Sequence, residues 1–269
     1  MGRILEIRQV IDDLIKKAPG QVGLVVKDLG TNETMQWAAQ EPFPAASLIK
    51  IPVLLEALRQ HQNRQLKLDE SITIRNEDKV GGFGILKELK NISSVSLLDL
   101  LTLMIIMSDN TAANLCITRV GISAVNKTLA SLGLSGTMLQ RKMMDMAAKE
   151  RGLENFTTPS DMAKLLELFG RHSVLTPNSC ELAMDIMKRQ QVNDRLPLFL
   201  PPEVAVAHKT GEWIGVRHDV GIIFAESGPL VIAALTKDIN TQIDKRFIGG
   251  GASALIAQIS RLVYEAVAN

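Results

Sequence analysis

Residues 204–236 decide the fold: VAVAHKT (204–210), HDVGIIFA (218–225) and LVIAALT (230–236) are three short apolar runs separated by turn-forming stretches, and they predict three consecutive β-strands. At the opposite end of the chain, QVGLVVKDL (21–29) and ETMQWAA (33–39) flank Gly30-Thr31-Asn32 and predict a hairpin. Ile4, Ile7, Ile11, Leu14 and Ile15 fall on one face of a helix that precedes the hairpin, and GGGASALIAQISRLVYEAVAN (249–269) predicts a closing helix with a glycine-rich entrance. Between the two blocks lie more than 150 residues of mostly helical period, among them SLLDLLTLMIIMS (96–108), NTAANLCITRV (110–120), ISAVNKTLASL (122–132), SDMAKLLELF (160–169) and SCELAMDIMKRQ (179–190). Strands at both ends and none in the middle predict an α+β fold, an α/β/α sandwich. One antiparallel five-stranded sheet is made from both termini, flanked by the terminal helices, with an all-helical lobe beside it. The expected division is a discontinuous α/β lobe, 1–42 with 190–269, and a helical lobe, 43–189. The two fold as a single cooperative unit with a ligand cleft between them.

Composition removes several classes of function. Apolar residues make up 46% of the 269-residue chain and charged residues 22%, as in a globular enzyme. Thirty basic and 29 acidic side chains leave a net charge of +1, so no footprint for nucleic acid or an anionic membrane is expected. The run Arg59, Arg64, Lys67 is interrupted by Asp69 and Glu70 and reads as a solvated helix end. Cys116 and Cys180 are expected to be buried free thiols, and His61, His172, His208 and His218 show no metal-ligand spacing, so neither a metal nor another cofactor is expected. The first residues, MGRILEIRQVIDDLIKK, mix charges into their apolar positions, unlike a signal peptide or membrane span. The expectation is a soluble monomer, secreted or periplasmic if a signal was removed and otherwise cytoplasmic. The methionines Met104, Met107, Met143, Met144 and Met146 are read as core.

Three short motifs follow one another: Ser47-Leu48-Ile49-Lys50, Ser108-Asp109-Asn110 and Lys209-Thr210-Gly211. The first alone is uninformative, whereas a specified tripeptide is expected by chance only ~0.03 times in a chain of this size, so two in this order carry weight. Ser47 follows the stiff entry Pro42-Phe43-Pro44-Ala45-Ala46 and opens an apolar run, which puts its hydroxyl at the positive end of a helix. Lys50 lies on the same helix face, and a lysine desolvated in a cleft has a depressed pKa and accepts the serine proton. Pro52 makes the start of this helix ambiguous. Judged alone, the pair is as well explained by a capping serine beside a surface lysine.

Ser108-Asp109-Asn110 separates two helices and is expected to form a corner facing the cleft. There Ser108 relays a proton to the leaving nitrogen, Asn110 holds the substrate's acyl-amide group and Asp109 orders the turn. Lys209-Thr210-Gly211 ends the strand VAVAHKT. Lys209 and Thr210 are expected to bind a substrate carboxylate, Gly211 to let a ligand backbone approach, and the backbone N–H groups of Ser47 and Glu212 to form an oxyanion hole.

With these motifs in place, the chain resembles the class A β-lactamase-like serine hydrolases over nearly its whole length. The likeness is carried by the three motifs in order and by the words FPAASLIKIPVL (43–54), MIIMSDNTAANL (104–115) and VAVAHKTGE (204–212). It implies a β-lactamase/transpeptidase-like fold and acylation of Ser47 by a small-molecule β-lactam or a D-Ala-D-Ala-like substrate. It also points to an arginine on the strand after the third motif, for which Arg217 is the candidate, although His218-Asp219 beside it can equally form a structural pair. Members of the family carry, in a loop ending before a Thr-Thr-Pro helix start, a glutamate just after an arginine that activates the deacylating water. Here the helix start is Thr157-Thr158-Pro159 and the loop reads Arg141-Lys142-Met143-Met144-Asp145, with no carboxylate at Lys142 or Met143. Asp145 is the nearest substitute for water activation, and Glu150 and Glu154 are expected to lie too near the helix. Slow deacylation of a β-lactam acyl-enzyme is therefore expected. The alternatives are a D-Ala-D-Ala peptidase or esterase, a covalent β-lactam receptor and, less well supported, a glutamine amidase.

Overall fold

The computed structural model describes residues 3–240 and 251–268. The chain opens with α1 (Arg3–Glu6) and α2 (Arg8–Lys16), one predicted helix broken at Ile7, and enters the hairpin β1 (Gln21–Asp28) and β2 (Thr34–Trp37). It returns at the far end as β7 (Val206–Trp213), β8 (Val216–Ala225), β9 (Gly228–Lys237) and α10 (Gly251–Ala268). The sheet runs β2-β1-β9-β8-β7, antiparallel throughout, with β1 and β9 joined over Gln21–Asp28 and Leu230–Lys237. Residues 249–250 and 269 of the expected closing helix lie outside the described residues.

Both faces of the sheet are buried, which is why its strands read as continuous apolar runs rather than alternating ones. Along β9, Val231, Ala233 and Leu235 join a large core under the helical region, while Leu230, Ile232 and Ala234 join a second core under the terminal helices. The same alternation puts Val25 of β1 on the first face and Leu24 and Val26 on the second. The large core is filled by α3 (Lys50–Gln62), α4 (Leu97–Ile106), α5 (Asn110–Val120), α6 (Ile122–Ser131), α8 (Pro159–Gly170) and α9 (Pro177–Lys188). Cys116 and Cys180 are free and buried among them. Among the described residues no helix is long and apolar enough to cross a membrane.

The middle of the chain is not purely helical. Two short antiparallel pairs cross it, β3 (Phe43–Pro44) with β6 (Phe156–Thr157) and β4 (Ser71–Thr73) with β5 (Ser94–Ser96). Strands of two or three residues are too short to impose a period on the sequence. The third motif also differs from expectation. Lys209-Thr210-Gly211 lies in the interior of β7, which continues to Trp213 and turns into β8 through Ile214 and Gly215. Its polar letters suggested a strand end, but Lys209 is fully buried.

His218 on β8 ties the sheet to the segment before Ser47. Its Nδ1 accepts from the Thr236 N–H at 3.0 Å, which leaves the proton on Nε2 to be donated to the Pro44 carbonyl at 2.8 Å. Burial pushes its pKa down from 6.5 to about 4, so the ring stays neutral in the folded protein. Between these values the unfolded chain holds a proton that the folded chain does not, so stability falls as pH drops through the window and levels off below it, a loss of roughly 3 kcal/mol. Urea unfolding at pH 7 and pH 4.5 is expected to show this loss in the parent and a shallower one in His218→Gln; equal losses in both contradict it.

Candidate active site

Ser47 sits in a 3₁₀ turn (Ala46–Ile49) that runs directly into α3. The change of winding explains Pro52: it occupies the first turn of α3, where a missing N–H leaves no helical hydrogen bond unmade. Ala46, the residue before Ser47, holds a φ of 45°, a strained left-handed value for a residue with a Cβ. The turn is clamped on one side by the Ala45 N–H, which donates to the Asn155 carbonyl at 2.7 Å, and on the other by His218 at Pro44.

Lys50 is completely buried one turn on, and its Nζ makes three contacts: Ser108 O at 2.7 Å, Asn110 Oδ1 at 2.9 Å and Ser108 Oγ at 3.1 Å. Desolvation is the main cause that drives its pKa well below the ordinary lysine value; nearby Lys209 lowers it further and Asp109 partly opposes both. The contacts suit a neutral amine. Two N–H groups serve the two pure acceptors, and the lone pair faces the Ser108 hydroxyl, which can donate.

The Ser108-Asp109-Asn110 corner joins α4 to α5 as expected. Asp109 caps α5 through Ala112 N at 2.9 Å, and its other oxygen accepts from Ile85 N at 2.7 Å and Leu86 N at 2.9 Å. Residues 80–86 thereby wrap the corner: Asn110 donates to the Gly81 carbonyl at 3.0 Å and, through its backbone, to Phe83 O at 3.0 Å. Ser108 takes a φ of 50° to make the bend.

Ser47, Ser108, Thr210 and Glu212 line a small recess with Phe83 and Val192. It adjoins a cavity of about 230 Å³ whose walls include Ser47, Asn110, Glu212 and Arg217. Lys209, fully buried, donates to Thr210 O at 2.8 Å, and burial brings its pKa down to about 7 against the opposing pull of Asp219. Arg217 lines the cavity, donates to the Val216 and Trp213 carbonyls and lies 3.3 Å from a Glu212 oxygen.

Several expectations need correction here. An added Cβ at Gly211 would meet His218 at 3.0 Å and Leu48 at 3.2 Å, so this position also packs tightly against β8 and the turn that carries Ser47. Asp219 pairs with His208, 2.9 Å away, and not with its neighbour His218, because successive side chains of a strand point to opposite faces. Asp145 does not face Ser47. It caps the short helix α7 (Met146–Glu150) and lines a separate depression with Glu77 and Asp78. Glu154, expected to lie too near the helix, lines the large cavity, but its carboxylate is bound to Arg141 at 2.6 Å. Met144 and Met146 are not core: they line the cavity with Phe83, Trp213 and Ile214, while Met104 is fully buried and Met143 belongs to the large core even as it reaches the cavity wall.

Sequence reasoning missed the residues that hold this wall. Asn114 clamps Met143 through both its backbone groups, at 2.7 and 3.0 Å, and Asn155 closes the loop by accepting from the Gln140 and Arg141 N–H groups. No local pattern marks either asparagine, whereas Gly81-Gly82-Phe83-Gly84 could have flagged the covering loop.

The chain thus presents a serine at a helix entrance, a buried lysine one turn on and a polar corner opposite, on an antiparallel sheet with helices on both faces: a serine hydrolase of the β-lactamase/transpeptidase fold. It belongs to the β-lactamase enzyme family, which matches residues 6–267, and is a class A β-lactamase family enzyme. Beta-lactamase 3 of Bacillus cereus is 30% identical over 228 residues, covering 83% of this chain and 71% of the relative. The β-lactamase of Sphaerobacter thermophilus superposes with a TM-score of 0.86 at 31% identity, covering 96% of this chain and 95% of that one. PBP-A superposes with a TM-score of 0.86 at 32% identity over 97% of this chain and 95% of its own. A leucine-to-glutamate mutant of PBP-A, solved as an acyl-enzyme complex with penicillin G, is 31% identical with a TM-score of 0.84, covering 98% of this chain and 95% of its own.

Gly84 holds the site's cover in place: its φ is 115°, and a Cβ there would come within 2.3 Å of the Asp109 carboxyl carbon. Gly84→Ala is expected to cost roughly 2 kcal/mol or more in urea unfolding. A loss below about 0.5 kcal/mol, the range of an ordinary surface change, contradicts that fit.

Proposed function

We propose that this chain opens β-lactam rings through an acyl-enzyme on Ser47 and releases that acyl-enzyme slowly. The observation that carries the second half is the Met143 thioether, fixed in the cavity wall by Asn114 where a water-activating carboxylate is expected. A thioether is at best a weak acceptor and no base. The nearby carboxylates do not replace it, since Asp145 faces another depression and Glu154 is held by Arg141.

In acylation, the Ser47 oxygen attacks the lactam carbonyl carbon and its proton passes to the neutral Lys50 amine. The Ser47 and Glu212 backbone N–H groups stabilise the oxyanion. As the C–N bond breaks, the Ser108 hydroxyl gives its proton to the ring nitrogen and recovers one from Lys50, 3.1 Å away, so the serine proton ends on the leaving nitrogen. Asn110, tethered to Lys50 and Gly81, orients the acyl-amide group, and Thr210 lines the recess beside Ser47, with Lys209 buried next to it in β7. Deacylation needs a second base for water, and its absence costs ~10²–10⁴ in rate. The penicillin acyl-enzyme of the PBP-A mutant supports acylation on such a frame.

Mass spectrometry after mixing with benzylpenicillin is expected to show a lasting adduct on the parent, none on Ser47→Ala, and deacylation faster by ~10²-fold or more in Met143→Glu. Rapid return of the parent to free enzyme, with fast substrate loss, sinks the slow-release account. A persistent adduct on Ser47→Ala sinks the nucleophile. Acylation by a D-Ala-D-Ala peptide but not by penicillin redirects the substrate.

A further inference from the structure

The side chain of Glu212 has no part in the ring opening described above, yet it stands in the site. It leaves β7 two residues after Thr210 and lines both the large cavity and the recess beside Ser47. Its oxygens are divided between two guanidiniums: Oε2 accepts from Arg195 Nη2 at 2.8 Å, and Oε1 lies 3.3 Å from Arg217 Nη2. Arg195 arrives from the segment before β7, is fully buried and also has Asp194 at 3.6 Å. Among the described residues, the carboxylate facing both guanidiniums is that of Glu212, with Asp194 also near Arg195, and of the two arginines Arg217 lines the cavity. Lys209, in the same strand, is fully buried, and burial has brought its pKa to about 7.

A subsite for an anion offers charged donors that a ligand can engage. In this wall those donors already hold a carboxylate of the chain itself. We propose that Glu212 is a specificity-determining residue: its carboxylate occupies the guanidinium pair at the end of the cleft where a substrate carboxylate binds, and the site therefore favours substrates that are neutral at that end. An incoming carboxylate must either displace Glu212 from Arg195 and Arg217 or lie beside it as a like charge, and both are costly in a low-dielectric cleft. The Glu212 side chain is 31% exposed, so it has room to swing out when a strongly bound anion forces it. Esters and amides meet no such opposition.

This inference rests on reading the cavity as the acyl-transfer site, and it is tested by binding alone. In a Ser47→Ala background, calorimetry compares benzylpenicillin with its methyl ester, with and without Glu212→Gln. The parent background is expected to bind the ester more tightly than the acid. Glu212→Gln is expected to strengthen acid binding at least tenfold and to change ester binding less than threefold, and Glu212→Ala, which removes the carboxylate without an isostere, is expected to move the same ratio in the same direction. Tighter binding of acid than ester by the parent background, equal gains for both ligands, or no binding of either to any variant overturns the proposal. Failure of the Ser47-intact enzyme to form an adduct, with the acid-to-ester shift present, counts against ring opening and leaves the role of Glu212 standing.

Discussion

The site depends on one buried amine. Lys50 enters the interior where α3 meets the α4–α5 corner, and its contacts to the Ser108 backbone, the Ser108 hydroxyl and Asn110 join two helical elements 58–60 residues apart in sequence. A charged ammonium would pay several kcal/mol for such a place. A neutral amine avoids that cost and, with two donors and one lone pair, fits the three contacts it finds. The packing constraint and the chemistry are therefore the same fact. The burial that fixes the corner also lowers the lysine's pKa, as the proposed role of a base requires.

Around that amine, polar and charged side chains meet partners within the fold. Arg141 holds Glu154, Asp219 holds His208, and Arg195 and Arg217 share Glu212. The opening beside Ser47 is walled largely by methionine, phenylalanine and tryptophan, of which the methionines change rotamer most readily. Backbone strain sits beside Ser47, at Ala46, and at Ser108.

The fold was largely legible because a sheet buried on both faces writes itself as unbroken apolar runs, and because the terminal helices keep a clear period. Elements shorter than four residues, β3 to β6, left no periodic trace. The three motifs were legible in their order, but the meeting of Lys50 with Ser108 at 3.1 Å was announced by no spacing. The loop around Met143 was legible only as an absence. Which way Asp145 and Glu154 turn is set by a helix cap and by an ion pair with Arg141, both long-range outcomes of the fold. Glu212 was noticed for its backbone alone, since its partner Arg195 lies 17 residues away with no pattern linking them. The tight packing of Gly211 against Leu48 and His218 left no mark in the sequence.

The central claim is that Lys50 is a neutral base at working pH, and NMR of the protein carrying ¹⁵N-labelled lysine reads it directly. The Lys50 Nζ signal, assigned by its loss in Lys50→Met, is expected to titrate well below the ordinary value of about 10.4, with the acylation rate rising over the same pH range. A Lys50 that keeps its proton to pH 10 or above, or an acylation rate that ignores its titration, contradicts the account.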